Sequence, residues 1–340
     1  MSSIEILVVL GVVLTVVSKV LPRLDTILAW FLGISLALLA GFRTGGFDYE
    51  QYLIIIEHVR SLHGSDLVFR LAAAKDPLFL YIIETVSALT PDPQFVLLAV
   101  SVLSVLPKIL FSSLFPRNRT FFLALYSVFL APGLEFAAIR AALGIGFVML
   151  GFASISRVKK TLSFGIAVAA HSSLIVSVAA HLLGRSRILT IATIALTPLV
   201  PVVLERYVAN FQRLEEYAAN QGTLFALALP VPSFFAALML AQLPHRLQTF
   251  TDKEFLILRR ATLLSVGVSV ILAIPMVTVS FRLLEISWVL LLMMLFDARG
   301  TRLSHAQSIY FYIASFLWIF GVVSSNILRS TWVAMALEQL

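Results

Sequence analysis

Residues 41–77 read GFRTGGFDYEQYLIIIEHVRSLHGSDLVFRLAAAKDP. This is the only long polar interval in a chain that is otherwise apolar from end to end, and it follows two apolar stretches directly. Sixty per cent of the 340 residues are hydrophobic, 13% are charged, and the mean hydropathy is +0.98. A soluble chain carries roughly 25% charged residues; half that fraction leaves little polar surface to meet water. Runs of about 20 apolar residues cross a bilayer core, and the chain offers many. The expected fold class is all-α, a polytopic integral membrane protein. No stretch alternates as an outer-membrane barrel strand would.

Ten stretches qualify as full spans: 4–21, 27–42, 94–114, 120–132, 134–155, 188–204, 223–243, 260–279, 283–297 and 306–325. The first lacks a basic leader and a small-residue cleavage site, so it reads as a retained span. Basic turns at 115–119, 156–160, 184–187, 245–260 and 298–302 belong on the cytoplasmic side. The balanced or acidic intervals 43–76 and 205–222 belong on the other. Both 115–119 and 156–160 can be inside only if 120–155 is a hairpin, which the break at Ala131, Pro132 and Gly133 supports. Then 77–90 and 161–183 cannot cross fully, and both are expected to be partial or re-entrant segments lining a protein-shielded cavity. The whole of 1–340 reads as a single transmembrane domain, with 43–76 an extracytoplasmic loop. The net charge of +7 fits anchoring at the cytoplasmic face better than nucleic acid, and the absence of cysteine excludes disulfides and thiolate chemistry.

Within the polar interval, Asp48 followed by Gln51 resembles a helix capping box. Tyr52, Ile55, Ile56, Val59 and Leu62 then share one helical face opposite Glu50 and Glu57, predicting an amphipathic helix along the membrane surface. Before it, the run Arg43, Thr44, Gly45, Gly46 reads as a turn in which glycine permits close approach. The apolar tail 326–340, with Trp332, suits the interface.

Ionisable residues inside apolar segments are costly and mark candidate sites. Arg140 lies on a helix with Ala138, Ala142 and Gly146 at four-residue spacing, a face for close packing. A guanidinium there grips a phosphate or carboxylate bidentately, or pairs structurally with Glu135. His171, flanked by Ser172 and Ser173, is either a satisfied buried imidazole or a general base. Arg282 lies between two spans, as an interfacial anchor or a ligand. Lys75, Asp76 and Pro77 close the polar interval, where Asp76 either caps the next helix or takes part in chemistry. The motifs HExxH, GxxxxGK[ST], GxSxG and GxGxxG are missing, no histidines have zinc-site spacing, and no DxD or DDxxD occurs. Arginines, a few carboxylates and one histidine remain, a set suited to a diphosphate-bearing substrate handled without a metal or other cofactor.

These residues, in order, resemble the EpsG family of bacterial exopolysaccharide proteins, relatives of the Wzy-type polysaccharide polymerases. Arg43, Gly46, Asp48, Tyr49 and Tyr52 follow the family's R-x-x-G-x-D-Y-x-x-Y; Asp76, Pro77 and Phe79 its E-P-x-F; Ile139 and Arg140 its I-R-Q-x-x-A. His171 lies in the family's A-x-x-x-H-x-S-x-L run, and Arg282 matches a late arginine. The chain departs from the pattern with Asp76 for Glu and with Ala141 for Gln, which removes one hydrogen-bonding group beside Arg140. The resemblance implies a multi-pass inner-membrane polymerase of O-antigen or exopolysaccharide repeat units, possessing a GT-C-like architecture and acting at the periplasmic or outer face. Its donor and acceptor would be undecaprenyl-diphosphate-linked oligosaccharides, with the bilayer, a flippase and a chain-length regulator as partners. By the chemistry of a diphosphate leaving group, Arg140, Arg282 and Arg43 are candidates to bind it. His171, Asp76 and Asp48 are candidates for the base that deprotonates the acceptor, and Tyr49, Tyr52 and Lys75 for further substrate contacts. An O-antigen-ligase-like transferase and a transporter or flippase are the competing expectations; the latter predicts paired broken helices at the midplane.

Overall fold

The computed structural model describes residues 3–45, 48–201, 224–244, 250–299 and 303–337, with backbone alone at 224, 225, 299 and 328–337. The interval 205–222, Gly46, residues 245–249 and the side chain of Trp332 therefore lie outside the described residues. Among those described, every regular element is a helix and there is no strand. Six helices are long and apolar enough to cross a membrane: Ser3–Val20, Pro22–Gly41, Pro93–Ser112, Asp252–Leu272, Val277–Ala298 and His305–Ile327. Shorter apolar helices accompany them. The chain divides into two compact units, Met1–Ile175 and Val176–Leu340.

The first unit begins with α1 (Ser3–Val20) and α2 (Asp25–Gly41). The polar interval forms α3 (Tyr49–Ser61) and α4 (Leu67–Ala74), followed by α5 (Pro77–Ser87) and α6 (Pro93–Ser112). Proline at the first position, where no N–H is needed, starts both α5 and α6. The Asp92 side chain caps α6 by accepting from the Gln94 N–H at 2.9 Å. Next, α7 (Arg119–Leu125) widens into a π-helical turn, Tyr126–Leu130, before the Pro132 break. Then come α8 (Ile139–Ala153) and α9 (Arg157–Ala170), the latter capped by Ser156. A 3-10 turn, Ser172–Leu174, closes the unit. The two full spans expected over 120–155 are instead α7 with its π-helical turn and the 15-residue α8, both among the shorter apolar helices, because the chain breaks at Pro132. The two segments expected to be incomplete become an 11-residue helix and a helix interrupted at His171.

The ends of this unit differ. At one end, Asp25 at the start of α2 accepts from the Arg119 and Thr120 N–H groups, both at 3.1 Å, and Lys19 donates to Asn118. At the other, Gln94 at the start of α6 donates to the carbonyls of Gly41, the last residue of α2, and of Arg43 just beyond it. Gly146 lets α8 lie against α6: a Cβ there would stand 2.9 Å from Pro107 and 3.1 Å from the Ser104 carbonyl.

Two local expectations give way. Asp48 makes no side-chain bond to the start of α3, so the capping box does not form. The apolar face of α3 does not rest on the membrane surface either. Tyr52, Ile56 and Val59 are buried in a core shared with Phe79, Ile83, Val96 and Val100. The apolar sides of α5 and α6 need cover, and the apolar face of α3 supplies it by removing Tyr52, Ile56 and Val59 from solvent.

The second unit contains α10 (Ile175–Leu183), α11 (Arg187–Leu196), α12 (Pro230–Ala241), α13 (Asp252–Leu272), α14 (Val277–Arg299) and α15 (His305–Leu337). Thr251 caps α13 through the Glu254 N–H. Ser269 and Ser280 donate to each other's carbonyls at 2.9 and 2.7 Å, joining α13 to α14. The Trp288 indole donates to Ser233 at 3.0 Å and the Trp318 indole to the Trp288 carbonyl at 3.0 Å, tying α12, α14 and α15.

Candidate active site

Lys75 ends α4 in the left-handed region, at φ 70°. The chain leaves it extended at Asp76, so the Asp76 side chain turns away from α5 and makes no capping bond to it. Instead, Asp76, only 1% exposed, gathers three donors from distant parts of the sequence. Its Oδ2 accepts from Arg140 Nη1 at 2.7 Å and lies 3.2 Å from His171 Nδ1. Its Oδ1 accepts from the Ser172 N–H at 2.9 Å. That N–H is free because α9 stops at Ala170, His171 is extended, and a new turn begins with its first amides unpaired.

The electrostatics of Asp76 follow. Burial opposes its charged form, but the hydrogen bonds from His171 and Ser172 and the charges of His171 and Arg140 outweigh this. Its pKa is held below the ordinary carboxylate value. With Nδ1 turned to Asp76, the His171 ring has its Nε2 edge left for another partner.

Arg140 stands in the first turn of α8, also within 3.4 Å of the Ala74 carbonyl. Its guanidinium lies 5.8 Å from the Tyr52 ring centre and 5.7 Å from that of Phe79. These two rings themselves meet edge to face. Tyr52 is 3% exposed, and Arg43 also lies 5.8 Å from its ring centre, so two guanidinium groups share this ring as a neighbour. Arg43, 4% exposed, donates Nη1 to the Glu135 carbonyl, while its Nε and Nη2 have no partner. Burial lowers its pKa, opposed by Tyr52, Glu135 and Asp48.

Arg43, Tyr52, Asp76, Arg140 and His171 thus form one contact chain within the first unit. Asp48 is half-buried and acts on Arg43 and Tyr52 through its charge alone. Tyr49 donates to Gln94 at 3.2 Å, bracing the turn after α2, and Lys75 is exposed. Arg282 belongs to the second unit, where it pairs with Glu285 at 3.2 Å on its own helix. Glu135, the structural partner considered for Arg140, is bound instead to Lys108. Lys108 and the Ser172 amide are not among the site groups expected from sequence, and Phe79 enters there only as a motif position. Lys108 had a visible signal, a lone lysine inside the apolar run 93–112.

Fold and site together define a multi-pass helical membrane protein holding a buried carboxylate between an arginine and a histidine, beside a second buried arginine. The chain belongs to the EpsG family, whose model matches residues 26–334, and is thereby a protein of polysaccharide biosynthesis akin to the polymerases. No curated protein and no solved structure matches it significantly.

Proposed function

We propose that the protein is a metal-independent glycan polymerase of the bacterial inner membrane. It joins undecaprenyl-diphosphate-linked oligosaccharide repeat units at the extracytoplasmic face. The observation that carries this reading is the sharing of Asp76 Oδ2 between Arg140 and His171 in a chain of the EpsG family. Asp76 fixes the imidazole with Nδ1 inward and leaves Nε2 as the base, the orienting role a carboxylate plays beside a catalytic histidine. Of the three candidate bases this favours His171, because Asp76 is engaged on both oxygens.

In the reaction the acceptor hydroxyl oxygen attacks C1 of the donor's terminal sugar, and its proton passes to His171 Nε2. The bond from C1 to the diphosphate oxygen breaks, and the diphosphate leaves with the electron pair. Arg140, which spends only one edge on Asp76, meets that growing charge, with Arg43 as the second cation. The orientation is supported by the ends of the first unit. The Arg119 and Lys19 contacts lie opposite the Gln94 end, and α8 runs 15 residues, about 22 Å, from the turn of Arg140 towards the start of α9, whose first residues include Lys159 and Lys160. Basic turns face the cytoplasm, so the site faces outward.

The interruption at His171 also suits a transporter, whose ligands sit at broken helices. One experiment separates the two. Purified protein is given its undecaprenyl-diphosphate repeat unit and the products are resolved on a gel, wild type beside Arg140→Ala. The expected result is a ladder with wild type and a loss of about 10²–10³ in rate with a folded Arg140→Ala. Movement of the lipid between leaflets of proteoliposomes, without any ladder, would establish transport instead.

A further inference from the structure

The proposed chemistry leaves a second ionic group of the first unit unused. Lys108 on α6 and Glu135, in the turn before α8, pair at 2.8 Å with both side chains 0% exposed. The Ser104 and Tyr126 hydroxyls donate to the same carboxylate, at 2.8 and 2.9 Å. Lys108 also donates to the carbonyls of Ser104 and Ala142, at 2.9 and 2.8 Å. Such a pair is weak evidence for stability, since desolvating two charges offsets their attraction, and apolar replacements are often neutral or stabilising. Its neighbour suggests another purpose. The backbone carbonyl of Glu135 accepts from Arg43, yet the carboxylate is saturated by Lys108, Ser104 and Tyr126 and forms no ion pair with that guanidinium. Arg43 consequently keeps two buried nitrogens unpartnered, and Asp48 makes no ion pair with it either.

We propose that Lys108 is a positioning residue for the anion site: by holding the Glu135 carboxylate, it keeps that anion off Arg43 and leaves the guanidinium charge for the lipid diphosphate. This rests on the reading of Arg140 and Arg43 as diphosphate ligands. Without Lys108, the Glu135 carboxylate is left with Arg43, a cation it already acts on through its charge and whose Nη1 sits on the same residue's carbonyl. A self-neutralised Arg43 would contribute nothing to binding.

The test is the Kd of undecaprenyl diphosphate for the protein in nanodiscs. Lys108→Met is expected to weaken binding about tenfold, the loss of one charge-assisted hydrogen bond. Adding Glu135→Gln, which removes the released anion but keeps an acceptor for Ser104 and Tyr126, is expected to restore affinity to within about threefold of wild type. In an Arg43→Gln background, Lys108→Met is expected to add no further loss, because both changes remove the same charge. Additive losses, or a Lys108→Met and Glu135→Gln double variant as weak as Lys108→Met, would overturn the proposal. Should Lys108→Met not fold, Glu135→Gln alone decides: with no carboxylate left to reach Arg43 it is expected to bind at least as tightly as wild type, and a loss of about tenfold would overturn the proposal. Arg140→Ala separates the two ideas, since undiminished binding by that variant refutes the diphosphate site itself, whatever Lys108 does.

Discussion

Asp76 is the residue on which the site turns, because its two oxygens hold an arginine, an imidazole and a helix-start amide at once. A carboxyl whose folded pKa lies below its unfolded value stabilises the fold above the unfolded value, and that contribution disappears as pH falls through the folded one. Asp76 is such a group. Asp76→Asn removes the charge with little change in volume and is expected to cost on the order of 1–3 kcal/mol at neutral pH. The difference in Tm between wild type and Asp76→Asn should then be full at pH 7 and shrink below about pH 4. Melting curves across that range check this, and a gap independent of pH would mean that Asp76 does not ionise in the fold. In the sequence alone, Asp76, Arg140 and His171 each stand out as ionisable groups near apolar segments. That one carboxylate serves both partners, 64 and 95 residues away, depends on the left-handed turn at Lys75 and the extended backbone at His171. No local pattern encodes either. The more obvious local role, a cap for α5, competes for the same side chain and loses because the Ser172 amide offers a buried alternative.

At the scale of elements, the break between α9 and the turn at Ser172 must be held in place, and Gly144 of α8 makes room for it. A Cβ on Gly144 would stand 2.1 Å from Leu174 Cδ1 and 2.8 Å from the Ala167 carbonyl. That carbonyl accepts the His171 N–H at 3.0 Å, so it sets where the histidine leaves the helix. Leucine can swing away, but a helix carbonyl cannot move without its turn. Gly144→Ala is therefore expected to cost about 1–3 kcal/mol by overpacking and to lower activity more than the loss of folded protein accounts for. Gly165, on the same α9, has nothing within 4 Å of its Cβ position. Gly165→Ala should leave activity intact and add up to about 1 kcal/mol, as alanine replaces glycine in a helix interior. Thermal melts and polymer gels on the two variants test the pair. Equal effects would detach the α8 contact from the site. Parity of the basic turns argues for incomplete crossings at 77–90 and 161–183. It gives no warning that α7 and α8, expected as full spans, are as short, since a break such as Pro132 shortens a helix without changing the charge of its ends. The destination of the α3 face was not legible either, since an apolar helical stripe has the same spacing whether lipid or protein covers it.

At the scale of the molecule, six helices among the described residues have the length and composition to cross a membrane, and the first unit has ends of contrasting character. Asp25, Arg119 and Lys19 gather at one end, while Gln94, Arg43 and the polar interval gather at the other. A polymerase whose substrates are delivered already translocated needs its base and arginines on the far side of the bilayer from the basic turns. The chain has no cysteine, so single cysteines report their own exposure against a silent background. Glu57 on α3 and Lys159 at the start of α9 are both exposed. In intact cells with a permeable outer layer, a membrane-impermeant maleimide is expected to label Glu57→Cys. Lys159→Cys should label only after the inner membrane is opened. The reverse pattern would put Asp76, Arg140 and His171 on the cytoplasmic side and remove them from translocated repeat units. Labelling of both from outside would mean that the first unit does not span the bilayer end to end, and the positive-inside argument for its orientation would fall with it.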